Sequence, residues 1–125
     1  MENTVKSSVL HNELIEWKSD VDLFNIEVKT FVKLMTGVKE KNNTKEFADL
    51  IEEQQQRMNL LIGESIEMKN SIQIREHELA SKSLDSNQDD IMIEDDTELR
   101  EDFQFFRNDI VEFKRNFHNF IIEWV

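Results

Sequence analysis

Three long helices, packed up-down-up in an antiparallel, coiled-coil-like bundle with an acidic linker before the third, is the all-α architecture that these 125 residues predict. Three observations carry that expectation. Apolar residues recur at alternating steps of four and three through three separate segments, the spacing that keeps one stripe of a helix against its neighbours. The chain has no proline and only two glycines, Gly37 and Gly63, so the residues that punctuate short strands and tight turns are almost missing. Six of the nine phenylalanines fall within residues 103–124, five of them on the same stripe. At this length, residues 1–125 form a single domain able to bury ~65% of its extended surface.

Helix 1 is expected over about 5–38, with Leu10, Leu14, Trp17, Val21, Phe24, Val28, Phe31, Met35 and Val38 on its seam. Gly37 suits a left-handed cap, which places the helix end somewhere from 36 to 41. Helix 2 is expected over about 44–81. Its seam runs Phe47, Ile51, Gln54, Met58, Leu61, Ser65, Met68, Ile72, Arg75 and Leu79, with Gln54, Ser65 and Arg75 as polar interruptions of the kind that set register. Asn43 with Glu46 three residues on has the form of a capping box, and Thr44 is its rival as cap. The stretch 82–96 has no helical period, is rich in Ser, Asp and Asn, and reads as a mobile or irregular link. Helix 3 spans about 97–125 on Leu99, Phe103, Phe106, Ile110, Phe113, Phe117, Phe120 and Trp124, with Asp95 and Glu98 as the capping pair and Thr97 as the alternative.

A short turn makes helices 1 and 2 antiparallel and pairs Phe24 with Leu61 and Leu10 with Arg75. A matching register for helix 3 sets Phe113 over Ser65 and Phe103 beside Arg75, so that large rings meet the small or polar positions of helix 2. Rings at strict seam spacing form a core, whereas base-stacking surfaces come with basic grooves. No such groove is expected here. The net charge is −12, and residues 85–98 alone carry seven acids and no base, while the flanking segments are nearly balanced. That field repels nucleic acid. No apolar run reaches the ~20 residues of a membrane span, and the N-terminal residues lack a signal-type apolar stretch, so a cytoplasmic protein away from membranes is the expectation.

Catalytic parts are hard to find. With no cysteine, disulfides, thiolate zinc sites and cysteine nucleophiles are excluded. The Glu-x-x-His motif of diiron bundles is missing, because Ser8, Ile74 and Arg115 stand three residues before His11, His77 and His118. The His-Glu-x-x-His pattern and glycine-rich phosphate loops are missing too. No catalytic residue and no cofactor is assigned, and the leaning is towards a non-enzyme. One constellation survives as the alternative, a divalent-metal site in which His11, His77 and Glu78 meet at one end of the bundle with Glu13 and Glu76 nearby.

Apolar residues off the seams point elsewhere. Leu23, Ile26, Leu60, Phe105 and Ile122, with Ile66, Ile74 and Val111, occupy positions that a lone three-helix bundle leaves in water. They mark an interaction surface whose partner is a protein, with homodimerisation ahead of binding a foreign helix. An acidic link engaging a basic partner is a further expectation.

The segments HNELIEWKSDVDLF, NNTKEF, DDTELREDF and FKRNFHNFIIEWV together resemble a group of small, uncharacterised three-helix proteins of Bacteroidetes-type bacteria. The likeness covers nearly the whole chain, and the more polar EEQQQRM stretch of helix 2 departs from it. It implies a three-helix fold and supplies no activity, substrate or catalytic residue.

Overall fold

The computed structural model describes residues 3–86 and 90–125, the side chains of 83–86 excepted. In chain order it comprises β1 (Thr4–Lys6), α1 (Ser7–Lys41), α2 (Lys45–Ser86), β2 (Met92–Glu94) and α3 (Thr97–Trp124). The protein is an all-α bundle of three helices packed on one another.

Contacts fix the directions. Between α1 and α2, Lys18 meets Glu76 at 3.6 Å, Asp22 meets Lys69 at 3.2 Å and Asn25 meets Ser65 at 3.4 Å, so one sequence rises as the other falls. Between α1 and α3, Glu13 meets Arg100 and Glu27 meets Lys114, so these two helices run the same way. Arg75 beside Asp96 at one end and Phe47 beside Phe120 at the other set α2 against the direction of α3.

Every seam position from Leu10 to Phe24 in α1 is buried, as are Met35 and Val38. Helix α1 therefore continues past Gly37, which lies within regular helix, because ending it there would pull Val38 out of the core. Helix α2 starts on the rival cap: Thr44 Oγ1 accepts from the Phe47 amide at 3.2 Å. Helix α3 is capped by Asp96, whose carboxylate accepts from the Leu99 amide at 3.0 Å, rather than by Asp95 or Thr97.

The helix registers differ from the heptad pairing. Asn25 lies opposite Ser65 and Asp22 opposite Lys69, an α1–α2 offset several residues from the one that pairs Phe24 with Leu61. Phe113 lines a cleft with Leu61, Leu99 lines one with Arg75, and Arg75 also pairs with Asp96, which offsets α3 on α2 from the expected register. The reason is visible in the aromatic contacts. Phe103 stacks on Trp17 at 5.3 Å, Phe106 meets Phe24 edge-on at 6.0 Å, and Phe113 and Phe117 meet Phe31 at 5.5 and 5.1 Å. The rings of α3 thus meet rings of α1 spaced seven apart, and Phe120 and Trp124 meet Phe47 of α2. Ser65 is fully buried and donates its hydroxyl to its own helix at Ile62 O, 2.6 Å away.

Two short strands were not legible as such. Thr4↔Glu94, Val5↔Ile93 and Lys6↔Met92 pair antiparallel, and Ile93 is buried under them. Of the stretch 82–96, residues 82–86 continue α2 beyond its expected end at 81 and residues 90–96 are docked rather than irregular; of its acids, Asp89 lies outside the described residues and so does the side chain of Asp85. At the far end Asn42 Nδ2 donates to both Val38 O and Trp124 O at 2.9 Å, tying the last turn of α3 to the α1–α2 connection.

Truncating Phe113 to alanine removes a buried ring and costs about 3–5 kcal/mol in urea unfolding, whereas Phe105→Ala on the exposed side stays within about 0.5 kcal/mol of wild type. Gly63→Ala gains about 0.5–1 kcal/mol in the same assay, since an added Cβ meets nothing within 4 Å in mid-helix.

Candidate functional site

The surface features with chemical content are the docked link, the cleft beside it and the flanks of α3. Helix α1 begins without an acid in its first turn and without a side-chain cap from Lys6. Asp90 of the link supplies what is missing: its Oδ1 accepts from the Ser8 amide at 3.0 Å and the Ser7 hydroxyl at 2.9 Å, and its Oδ2 accepts from the Ser8 hydroxyl at 2.9 Å. Those donors, the Ser8 amide foremost, hold the Asp90 carboxyl below its ordinary value. The Ser7 amide donates to Ile91 O at 2.7 Å, and the Ile91 amide donates back to Ser7 Oγ at 3.1 Å.

Two arginines brace the same segment. Arg100 donates to both oxygens of Glu13, at 2.9 and 2.6 Å, and to both oxygens of Asp95, at 2.8 Å each, while its guanidinium lies 6.0 Å from the Trp17 ring. It joins α1, link and α3 in one contact. The hydrogen bonds from Arg100 hold the Asp95 carboxyl below its ordinary value, and Asp95, then Glu13, keep Arg100 firmly protonated. Arg75 is drawn out of the α2 seam to donate to Glu94 O at 2.8 Å and to pair with Glu78 and Asp96. It is a brace for the link and not a register-fixing residue inside the core.

His11 and His77 line one cleft of about 590 Å³ between α1 and α2, with Ser7, Ser8, Gln73 and Glu76 around them. Glu78 does not join them. It sits on the other flank of α2, facing α3, and is paired with Arg75 at 3.0 Å. Glu76 is opposite Lys18 and Glu13 is held by Arg100. Among the described residues no three His, Cys, Asp or Glu side chains are grouped so as to hold a metal ion.

The five residues expected to form an interaction surface are all exposed. They do not make one patch. Leu60 and Phe105 line adjoining clefts between α2 and α3, whereas Leu23 and Ile26 lie on α1 and Ile122 near the end of α3. The flanks of α3 also differ in charge. Arg100, Arg107 and Lys114 face Glu13, Asp20 and Glu27 of α1 at 2.6, 3.6 and 2.7 Å, a ladder in which both partners advance by seven. The opposite flank turns Asp102, Asp109 and Glu112 towards Glu64 and Glu67 of α2. Burial, then Asp109, then Glu67 raise the Glu64 carboxyl above its ordinary value. The ladder was legible in principle, because three acids and three bases at seven-residue steps beside a seam are what partner-facing positions require.

Among the described residues no helix is long and apolar enough to cross a membrane. No protein-family model, curated protein or solved structure matches the chain.

The Arg100 contacts predict a specific loss. Arg100→Gln speeds amide hydrogen exchange across residues 91–95 and lowers stability by about 1–2 kcal/mol, a figure held down because the side chain is 36% exposed. Acid has the same local effect. Asp90 and Asp95 are depressed in the folded state, so their contribution is whole above the ordinary aspartate value of 3.8 and is lost as the pH falls below it. Exchange measured down that range shows the link releasing before the helix cores; a link that stays protected until global unfolding contradicts the assignment.

Proposed function

We propose that the protein is a non-enzymatic helical bundle that works through protein–protein contact. The observation that carries this is the disposition of its apolar residues. The seams are packed and closed, yet Leu23, Ile26, Leu60, Phe105 and Ile122 stand in water outside them. Large apolar side chains at such positions are costly to solubility and serve when covered by another chain. Both homodimerisation and capture of a different protein use such faces. The polar groups support the same reading, since Glu13, Asp95, Arg75 and Arg100 are spent on bracing the link. Freedom from cysteine suits work in a reducing cytoplasm.

The metal-binding alternative has His11, His77 and Glu76 on one cleft, but among the described residues no three such side chains are grouped so as to hold a metal ion. Protein contact is the reading that the geometry supports better.

Sedimentation velocity over a wide concentration range, together with affinity capture, tests it with two double variants, Leu60→Ser with Phe105→Ser and Leu23→Ser with Ile26→Ser. One pair abolishes association while circular dichroism stays unchanged. A strict monomer, from which neither pair removes any bound protein, overturns the proposal.

A further inference from the structure

Three clefts along the α2–α3 seam share walls. The one that contains Arg57 and Leu60 shares Glu64 and Asp109 with the next, and that one shares Ser71 and Asp102 with a third reaching Glu78. They make one continuous groove. From Arg57 to Glu78 it follows α2 for roughly 30 Å at ~1.5 Å per residue, the length of a helix of several turns.

The electrostatics of this groove set it apart from the other two. The α1–α3 side is crossed by three ion pairs and the α1–α2 side by two. Between Arg57 and Arg75, the α2–α3 groove instead carries Glu64, Glu67, Asp102, Asp109 and Glu112 and no base. None of those five has a cationic partner among the described residues, and the two arginines that end the run are occupied, Arg57 by Glu53 at 2.8 Å and Arg75 by Glu78 and Asp96. Apolar side chains stand on both walls, Leu60 on α2 and Phe105 on α3, each 69% exposed.

From these observations we infer that the α2–α3 groove is the docking site for a cationic amphipathic helix of a partner protein, which lays its apolar stripe on Leu60 and Phe105 and its lysines or arginines against the acidic walls. The inference rests on the protein–protein reading above and narrows it to one face and one chemistry. A groove of helix length with apolar anchors and charged rims is how amphipathic helices are held. Charge selects the occupant. A second copy of this chain brings the same acidic flank and is repelled there, and Lys18, Arg100, Arg107 and Lys114 are already paired within the bundle. Burial first, then the like charges of Asp109 and Glu67, raise Glu64, and a cation in the groove offsets the like-charge part.

Fluorescence anisotropy with a labelled synthetic helix, leucines on one face and lysines on the other, tests this against the full chain. Phe105→Ser and Asp109→Lys each weaken binding about tenfold, while Ile26→Ser and Glu16→Lys, an equal charge change on exposed α1, leave it within about twofold. Asp109→Lys melts no lower than wild type, because it removes a like-charge neighbour of Glu64, so its loss of binding is not a loss of fold. Equal weakening by Glu16→Lys, equal binding of a scrambled peptide of the same composition, or no binding at all overturns the groove assignment. Two further outcomes separate it from the broader reading. A homodimer dispersed by Phe105→Ser, or a partner lost only through Leu23→Ser with Ile26→Ser, sinks the groove and leaves protein contact standing.

Discussion

Ring-on-ring packing between α1 and α3 is the constraint on which the rest of the molecule depends. Helix α3 reaches the bundle through a link, so its position is not set by a tight turn as that of α2 is. Trp17, Phe24 and Phe31 present a ring every seven residues, and Phe103, Phe106, Phe113 and Phe117 come down on them within 5.1–6.0 Å. Burying large planar side chains in a dry seam gives both the gain in apolar burial and the geometric preference that picks one register out of several. The ion-pair ladder from Glu13–Arg100 to Glu27–Lys114 follows from that register. Each of its pairs is partly exposed and weak alone, so it confirms the alignment more than it creates it.

Much of this was legible in the sequence, and the failures are instructive. The three helices follow from a four-three apolar period that no other element satisfies. Their termini were harder, because capping is decided by competition among neighbours. Asp95 has the right chemistry for a cap but is claimed by Arg100, so Asp96 caps instead. The helix–helix registers went astray because a heptad pattern states which face is buried and not which residue lies opposite. Volume complementarity argued only from α2 and α3, whereas the contact of Phe113 with Phe31 needs both α1 and α3 in view. The link misled for a different reason. IMIE is too short for alternation to stand out, and its strand character exists only through pairing with Thr4–Lys6, far away in sequence.

The candidate site shows the same division. Sequence position brought His11 and His77 into one cleft, since both sit on the flanks where α1 and α2 meet at that end. It could not separate His77 from Glu78, which one step of the helix turns towards opposite neighbours. The exposed apolar residues were correctly placed outside the seams, but their grouping depends on packing. Leu60 and Phe105 share a groove only because of the α2–α3 register. The three sides of the bundle are thus unequal. Two are closed electrostatically and one is left with acids facing acids.

The first turn of α1 borrows its capping carboxylate from Asp90, a residue made long after it. During synthesis the two leading helices can fold back on each other as soon as both have left the ribosome, since only three residues separate Lys41 from Lys45. The opening turn has no side-chain cap of its own from Lys6 and takes its capping carboxylate from the connecting segment. Order at Ser7 and Ser8 is thus tied to the connecting segment, and the β1 strand has its partner only where β2 is in place.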